Sequence, residues 1–334
     1  MAPRATAVLT RTAILAAVYL SVLGLQLVGV IDDYLQATLV MICVNIILAV
    51  SLNLVTGFTG QFSLGHAGFM AVGAYATAMI STSIKGVWGF VLGLVVGALL
   101  AAIIGFLIGL PTLRLRGDYL AIATLGMAEI IRVLLLNFKF TNGAAGLSAI
   151  PRNVNWSWLF VLTVGTVISI SNFLKSRHGR DCIAVREDEI AAESIGVRST
   201  RVKTMAFTVG AVFGALAGGI YASYFYFIKP DLFGFMQSIN ILVIVVLGGL
   251  GSISGSIIAA ILLALVSTLL QPFPEIRMIL YSLALVVLMV FRPQGLMGSR
   301  ELTSGLLTRL LPGGRTGLFR PAVGTRPTYT EESK

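Results

Sequence analysis

The sequence predicts an all-α fold, a polytopic transmembrane helical bundle of about ten membrane segments. Three observations predict it. Of 334 residues, 57% are apolar and only 11% are charged. Apolar runs of roughly 20 residues, the length that crosses about 30 Å of hydrocarbon, recur along the chain. No alternating strand pattern accompanies them, and backbone in lipid must satisfy its own hydrogen bonds within the segment, so the runs are helices rather than barrel strands.

In chain order the runs fall at residues 12–31, 35–55, 66–84, 88–110, 119–137, 155–174, 202–224, 236–251, 252–270 and 277–291, each bounded by charge, proline or glycine. The first follows Arg4 and Arg11, lacks a small-residue cleavage site and is long enough to span, so it reads as a retained helix. The pair at 236–270 is the least sharply divided. Residues 1–298 form the membrane domain in this reading, with a charged loop at 175–203. Residues 299–334, rich in Arg, Gly, Pro and Thr, form a basic tail expected to be disordered, either in contact with anionic membrane lipid or simply solvated.

The net charge of +10 does not indicate nucleic acid, because the basic residues sit between apolar runs rather than along one face. If the segments alternate, Arg4, Arg11, Arg114, Arg116, the 175–203 loop and the tail from Arg292 all fall on one side, which the positive-inside bias makes the cytoplasm. Both termini then lie inside. Cys43, within an apolar run, and Cys182, within the charged loop, fall at different depths, which argues against a disulfide, and metal-ligand spacing is absent.

Four stretches carry chemistry or mechanics. Residues 57–68 (GFTGQFSLGHAG) are polar, glycine-dense and uncharged between two apolar runs. Such backbone is either unwound where protein or a cavity shelters it, with Gln61, Ser63 and His66 offering hydrogen bonds to a polar solute, or close small-residue packing. Residues 248–256 (GGLGSISGS) interrupt a second apolar tract and align with the first, Gly57 with Gly248, Gly60 with Gly251 and Ser63 with Ser254, which nominates Ser252 and Ser254 for the same pathway. Paired interruptions allow two related halves with broken or re-entrant helices. Neither stretch is a nucleotide loop, since both phosphate-binding glycine patterns are missing.

The 175–203 loop holds seven Lys or Arg and five Asp or Glu. Within it, residues 187–195 read as a short helix stopped by Gly196, with Ile190, Ala191, Ser194 and Ile195 on one face, suited to a groove on a partner protein. Glu129 with Arg132 three residues on is an intramembrane ionisable pair, either functional or a buried helix-surface pair. Residues 141–151 (TNGAAGLSAIP) form an external loop, for receiving solute from a binding protein or merely for a tight connection.

Residues 56–73 (TGFTGQFSLGHAGFMAVG), 113–129 (LRLRGDYLAIATLGMAE), 141–151, 184–196 (AVREDEIAAESIG), 206–222, 246–255 (VLGGLGSISG) and 291–296 (FRPQGL) resemble the branched-chain amino-acid ABC permease family, specifically the longer of its two permease subunits. The resemblance runs in order from about residue 35 to 298. It implies a bacterial inner-membrane importer subunit, no enzyme, that pairs with a second, shorter permease as a heterodimer. Two cytoplasmic ABC ATPases that bind ATP and Mg and an extracytoplasmic solute-binding protein complete it, with no cofactor in this chain. It further implies that Arg186, Glu187, Asp188, Ile190, Ala191, Ala192, Glu193 and Gly196 belong to the coupling element resting on the ATPase. The external loop departs from the TGG-type start that the family leads one to expect. Urea and short-chain amide importers look similar, and an ion-coupled secondary carrier is the remaining rival, with only Glu129 and Arg132 to bind its ion.

Overall fold

The computed structural model describes residues 16, 17, 19–26, 28, 29, 31–113, 115, 117–270, 283 and 295–297. Ten α-helices are bounded among them: α1 (Asp33–Asn53), α2 (His66–Ser83), α3 (Val87–Thr112), α4 (Asp118–Asn137), α5 (Trp156–Lys175), α6 (Arg177–Glu187), α7 (Glu189–Ser194), α8 (Ser199–Phe225), α9 (Phe235–Gly248) and α10 (Ile253–Leu269). One wide turn, Leu54–Phe58, extends α1. Two short strands, β1 (Leu147–Ser148) and β2 (Phe227–Ile228), pair antiparallel with Leu147 opposite Ile228.

Six of the described helical stretches are long and apolar enough to cross a membrane, and α10 is a shorter apolar helix. The expected number of about ten is not reached among the described residues. The run at 277–291, apart from residue 283, and the tail at 299–334 lie outside them, and 12–31 is described only in part. The uncertain 236–270 tract is two helices, α9 and α10, divided at Gly249–Ser252.

Helix α2 is not among the six, for a physical reason. Twelve of its eighteen residues are buried. It lies against α3 and α8, which shield it from the bundle surface, so its glycines, alanines and hydroxyls serve close packing rather than lipid contact. Its seam is tight, with a Cβ built on Gly73 2.0 Å from the Ala215 carbonyl oxygen and one on Gly218 1.9 Å from that of Met70. By contrast α3 turns Leu92, Leu99, Ile103, Phe106 and Leu110 outward at helical spacing. A stripe of that size is intolerable in water and natural against lipid or a second membrane subunit.

The helices run alternately between two ends of the bundle. At one end Arg186 meets Gly57, Gln61 meets Lys203, and Leu64 meets Thr124. At the other, Arg132 meets Asp231, Tyr34 meets Thr268, and Ile150 meets Tyr226. Helix α8, 27 residues and about 40 Å long, joins them. The charged loop and both glycine-dense stretches share the first end, and the 141–151 loop sits at the opposite one.

Candidate functional site

The site is built around two helix ends. Helices α1 and α9 both finish at the charged-loop end, where an α-helix leaves its last carbonyls without intrahelical donors and carries the negative end of its dipole. Just beyond α9, in the Gly249–Ser252 break, the partner is Asn53. Its Nδ2 donates to the Ser252 carbonyl (2.9 Å), to Ser256 Oγ (2.8 Å) and, more weakly, to the Gly249 carbonyl (3.4 Å). Its Oδ1 accepts from the Gly251 N–H at 2.8 Å. One buried amide therefore bridges the α9–α10 break, where Ser252 Oγ in turn caps α10 through the Gly255 N–H. The chain returns at residues 295–297 to finish the same end, Leu296 N donating to the Leu247 carbonyl at 2.8 Å.

At α1 the partner is Arg186, from the last turn of α6. Its Nη1 donates to the Gly57 carbonyl at 2.6 Å. The two breaks meet here, though not as counterparts. A Cβ on Gly57 would fall 2.3 Å from Gly251 N and 1.7 Å from Asn53 Oδ1. Gly60 and Gly251 have φ of +73° and +86° and both abut the Arg186 side chain, so glycine is required there by conformation and by space.

The predicted pathway residues divide between the two ends. Gln61, Ser63, His66 and Ser252 are buried at the charged-loop end, with Ser254 beside Ser252. Gln61 Nε2 donates to the Lys203 carbonyl at 3.3 Å. His66 Nε2 is hydrogen-bonded to Ser51 Oγ at 2.8 Å, and Ser51 Oγ also lies 3.0 Å from the Leu48 carbonyl. Glu129 sits apart, toward the opposite end. It accepts from Arg132 Nε at 2.8 Å, and Arg132 Nη1 donates to Asp231 at 2.9 Å. The pair expected within one helix is thus a triad fastening α4 to the Pro230–Phe233 turn, and at 42% and 56% side-chain exposure its carboxylates are not sealed in.

The coupling segment differs from the single helix expected at 187–195. It is two helices broken at Asp188, which takes extended backbone and accepts from Ile190 N and Ala191 N at 2.9 and 3.0 Å, an N-cap that starts α7 at Glu189. Ile190 and Ile195 are 71% and 79% exposed, and Ala191 and Ser194 are exposed between them. Glu187, Glu193 and Gly196 are also exposed, Glu193 accepting from the Ser199 hydroxyl. Ala192 faces the other way, into a small core with Cys182, Val185, Val202 and Ala206. Lys203 and Glu189 tie α7 to α8 at 2.6 Å.

Cys182 and Cys43 are both free and buried. Burial pushes the Cys182 thiol up to about 11, against an opposing hydrogen bond from Thr59. The folded value exceeds the ordinary thiol value of about 8.5, so this group's contribution to stability is intact below that pH and declines as pH rises toward 11. Native Cys182 is expected to resist maleimide near neutral pH and to react once the chain is denatured. Rapid labelling of the native protein would show that the loop opens away from Thr59.

The sequence profile described as "Branched-chain amino acid transport system / permease component" matches residues 34–291. The chain belongs to this family. It is 40% identical over 296 residues to the high-affinity branched-chain amino acid transport system permease protein LivM of Escherichia coli, covering 78% of this chain and 69% of the relative. LivM of Salmonella typhimurium is 39% identical with the same coverage. LivH of E. coli, a permease protein of the same named system, is 26% identical over 287 residues, covering 76% of this chain and 91% of LivH. No solved structure matches the chain.

Sequence reasoning missed Asn53 and the contact of Arg186, an exposed residue, with the Gly57 carbonyl. An asparagine in the last turn of an otherwise apolar run was the available signal for the first, since a buried amide in a membrane helix needs partners.

Proposed function

We propose that the chain is the LivM-like half of a heterodimeric, ATP-driven importer for branched-chain amino acids in a bacterial cytoplasmic membrane. Both termini and the 175–203 loop face the cytoplasm. A LivH-like permease completes the pathway, two ABC ATPases bind and hydrolyse ATP with Mg, and a solute-binding protein delivers to the end that bears the 141–151 loop and the Glu129–Arg132–Asp231 triad. The chain itself performs no covalent chemistry. One observation carries the reading: α7 presents Ile190, Ala191, Ser194 and Ile195 to the outside while Ala192 and the Lys203–Glu189 pair hold its back to the bundle. A short apolar face on a braced helix is what a partner groove accepts.

Gln61, Ser63, His66, Ser252 and Ser254 form the inner end of the pathway in this reading, closed here by their own packing, and Glu129 stands at the outer part. ATP binding at the ATPases moves α7, and access alternates because the two arrangements differ in stability with and without nucleotide. The test is leucine-stimulated ATPase activity of the complex co-purified with its ATPases, companion permease and binding protein. Ile190→Asp and Ala191→Trp are expected to cut stimulation by about tenfold or more. Leucine uptake by this chain alone, driven by an ion gradient without ATP, would overturn the reading in favour of a secondary carrier.

A further inference from the structure

We infer that Arg186 is a positioning residue that clamps the coupling segment to both glycine breaks, so that displacement of α7 is delivered to α1 and to the α9–α10 hinge together. The inference rests on the coupling role proposed for α7. It assigns Arg186 to the permease side of that joint, not to the ATPase surface.

Three observations tie Arg186, itself exposed, to the two breaks. The Arg186 guanidinium donates to the Gly57 carbonyl at 2.6 Å, at the negative end of α1, where a cation is electrostatically favoured and a charge-assisted hydrogen bond is stronger than a neutral one. Its stem lies against Gly60, whose built Cβ would approach Arg186 Cγ to 3.3 Å, and a Cβ on Gly251 would reach Arg186 Nη1 at 2.6 Å. Finally, Gly57 abuts Gly251 directly, and Asn53, one turn earlier in α1, accepts from Gly251 N and donates to the Ser252 carbonyl. A chain of direct contacts therefore runs from α6, one residue before the Asp188 cap of α7, through Arg186 to the end of α1 and across to the α9–α10 break. Elsewhere the segment is held to α8 by the Ala192 core and the Lys203–Glu189 pair, and to the residues just after α1 by the Cys182–Thr59 hydrogen bond. Arg186 is the contact that reaches both Gly57 and Gly251, and so both breaks at once.

The complete transporter, reconstituted in proteoliposomes with its binding protein, tests this through leucine moved per ATP hydrolysed. Arg186→Ala is expected to keep the ATPases bound through co-purification yet lower that ratio by about tenfold. Arg186→Lys, which retains a cationic donor, recovers part of it. Gly251→Ala, whose methyl displaces the guanidinium, lowers it as Arg186→Ala does. A ratio equal to wild type in Arg186→Ala overturns the clamp while leaving α7 docking intact. Loss of the ATPases from Arg186→Ala also overturns it, since the side chain would then serve the ATPase contact. If Arg186→Ala fails to accumulate and Arg186→Lys couples normally, the residue serves folding alone and the clamp is again overturned. Ile190→Asp separates the two ideas: retention of ATPases and full coupling in that variant sinks the docking reading itself.

Discussion

Replacing Asn53 with leucine is expected to destabilise the membrane domain by about 1–3 kcal/mol, the cost of a buried polar group left unpaired. The substitution orphans the Gly251 N–H and removes one donor each from the Ser252 carbonyl and Ser256 Oγ, which stay bonded to each other, all in a site Asn53 seals at 0% exposure. Leucine is close in size, so the effect reads polarity rather than a cavity. Asn53→Asp keeps the acceptor for Gly251 N but sets a carboxylate against carbonyl oxygens, and is expected to be no better tolerated. Thermal melting of the detergent-solubilised complex measures both. A melting point for Asn53→Leu indistinguishable from wild type would mean that the α9–α10 break is held by the 295–297 return and not by this amide.

The second large effect belongs to the seam of α2 and α8. Gly218→Val must place a branched Cβ where the Met70 carbonyl oxygen stands 1.9 Å away and Ala74 N 2.9 Å away. Both neighbours are helix backbone and have no rotamer to give, so the helices must separate and forfeit their close contact. Gly73→Val meets the Ala215 carbonyl in the same manner from the opposite side. Either variant is expected to fail to accumulate in membranes, measured as the fluorescence of a fused reporter. Gly126→Val in α4, which meets nothing within 4 Å, is the control and is expected to accumulate normally. Normal levels of Gly218→Val would show that the seam does not hold the bundle together.

These two predictions draw on different parts of the sequence's legibility. The α2 seam was partly readable: residues 66–83 are thick with glycine, alanine and hydroxyl side chains, which in a membrane signals close helix packing. Which helix they pack against was not, since Gly218 lies about 150 residues away and small residues recur throughout the chain. Glu129 and Arg132 were found because charge within an apolar run is conspicuous, yet Asp231, which completes the triad, sits 99 residues beyond Arg132 and reads locally as an ordinary loop acid.

The sequence by itself determined that the chain is a multi-pass helical membrane protein, where its long apolar runs begin and are interrupted by glycine, and which loop holds the concentrated charge. Hydrophobic run length, glycine interruption and charge are local properties, and lipid, which offers the backbone no hydrogen bonds, converts them almost directly into spans. Only the tertiary structure decided that Gly57 meets Gly251 rather than merely corresponding to Gly248, that Asn53 fastens one break and Arg186 the other, and that His66 is spent on Ser51. Those facts depend on where a side chain points once helices far apart in the chain lie side by side. A guanidinium goes to the nearest helix end with unpaired carbonyls, and no pattern within its own segment records which end that will be.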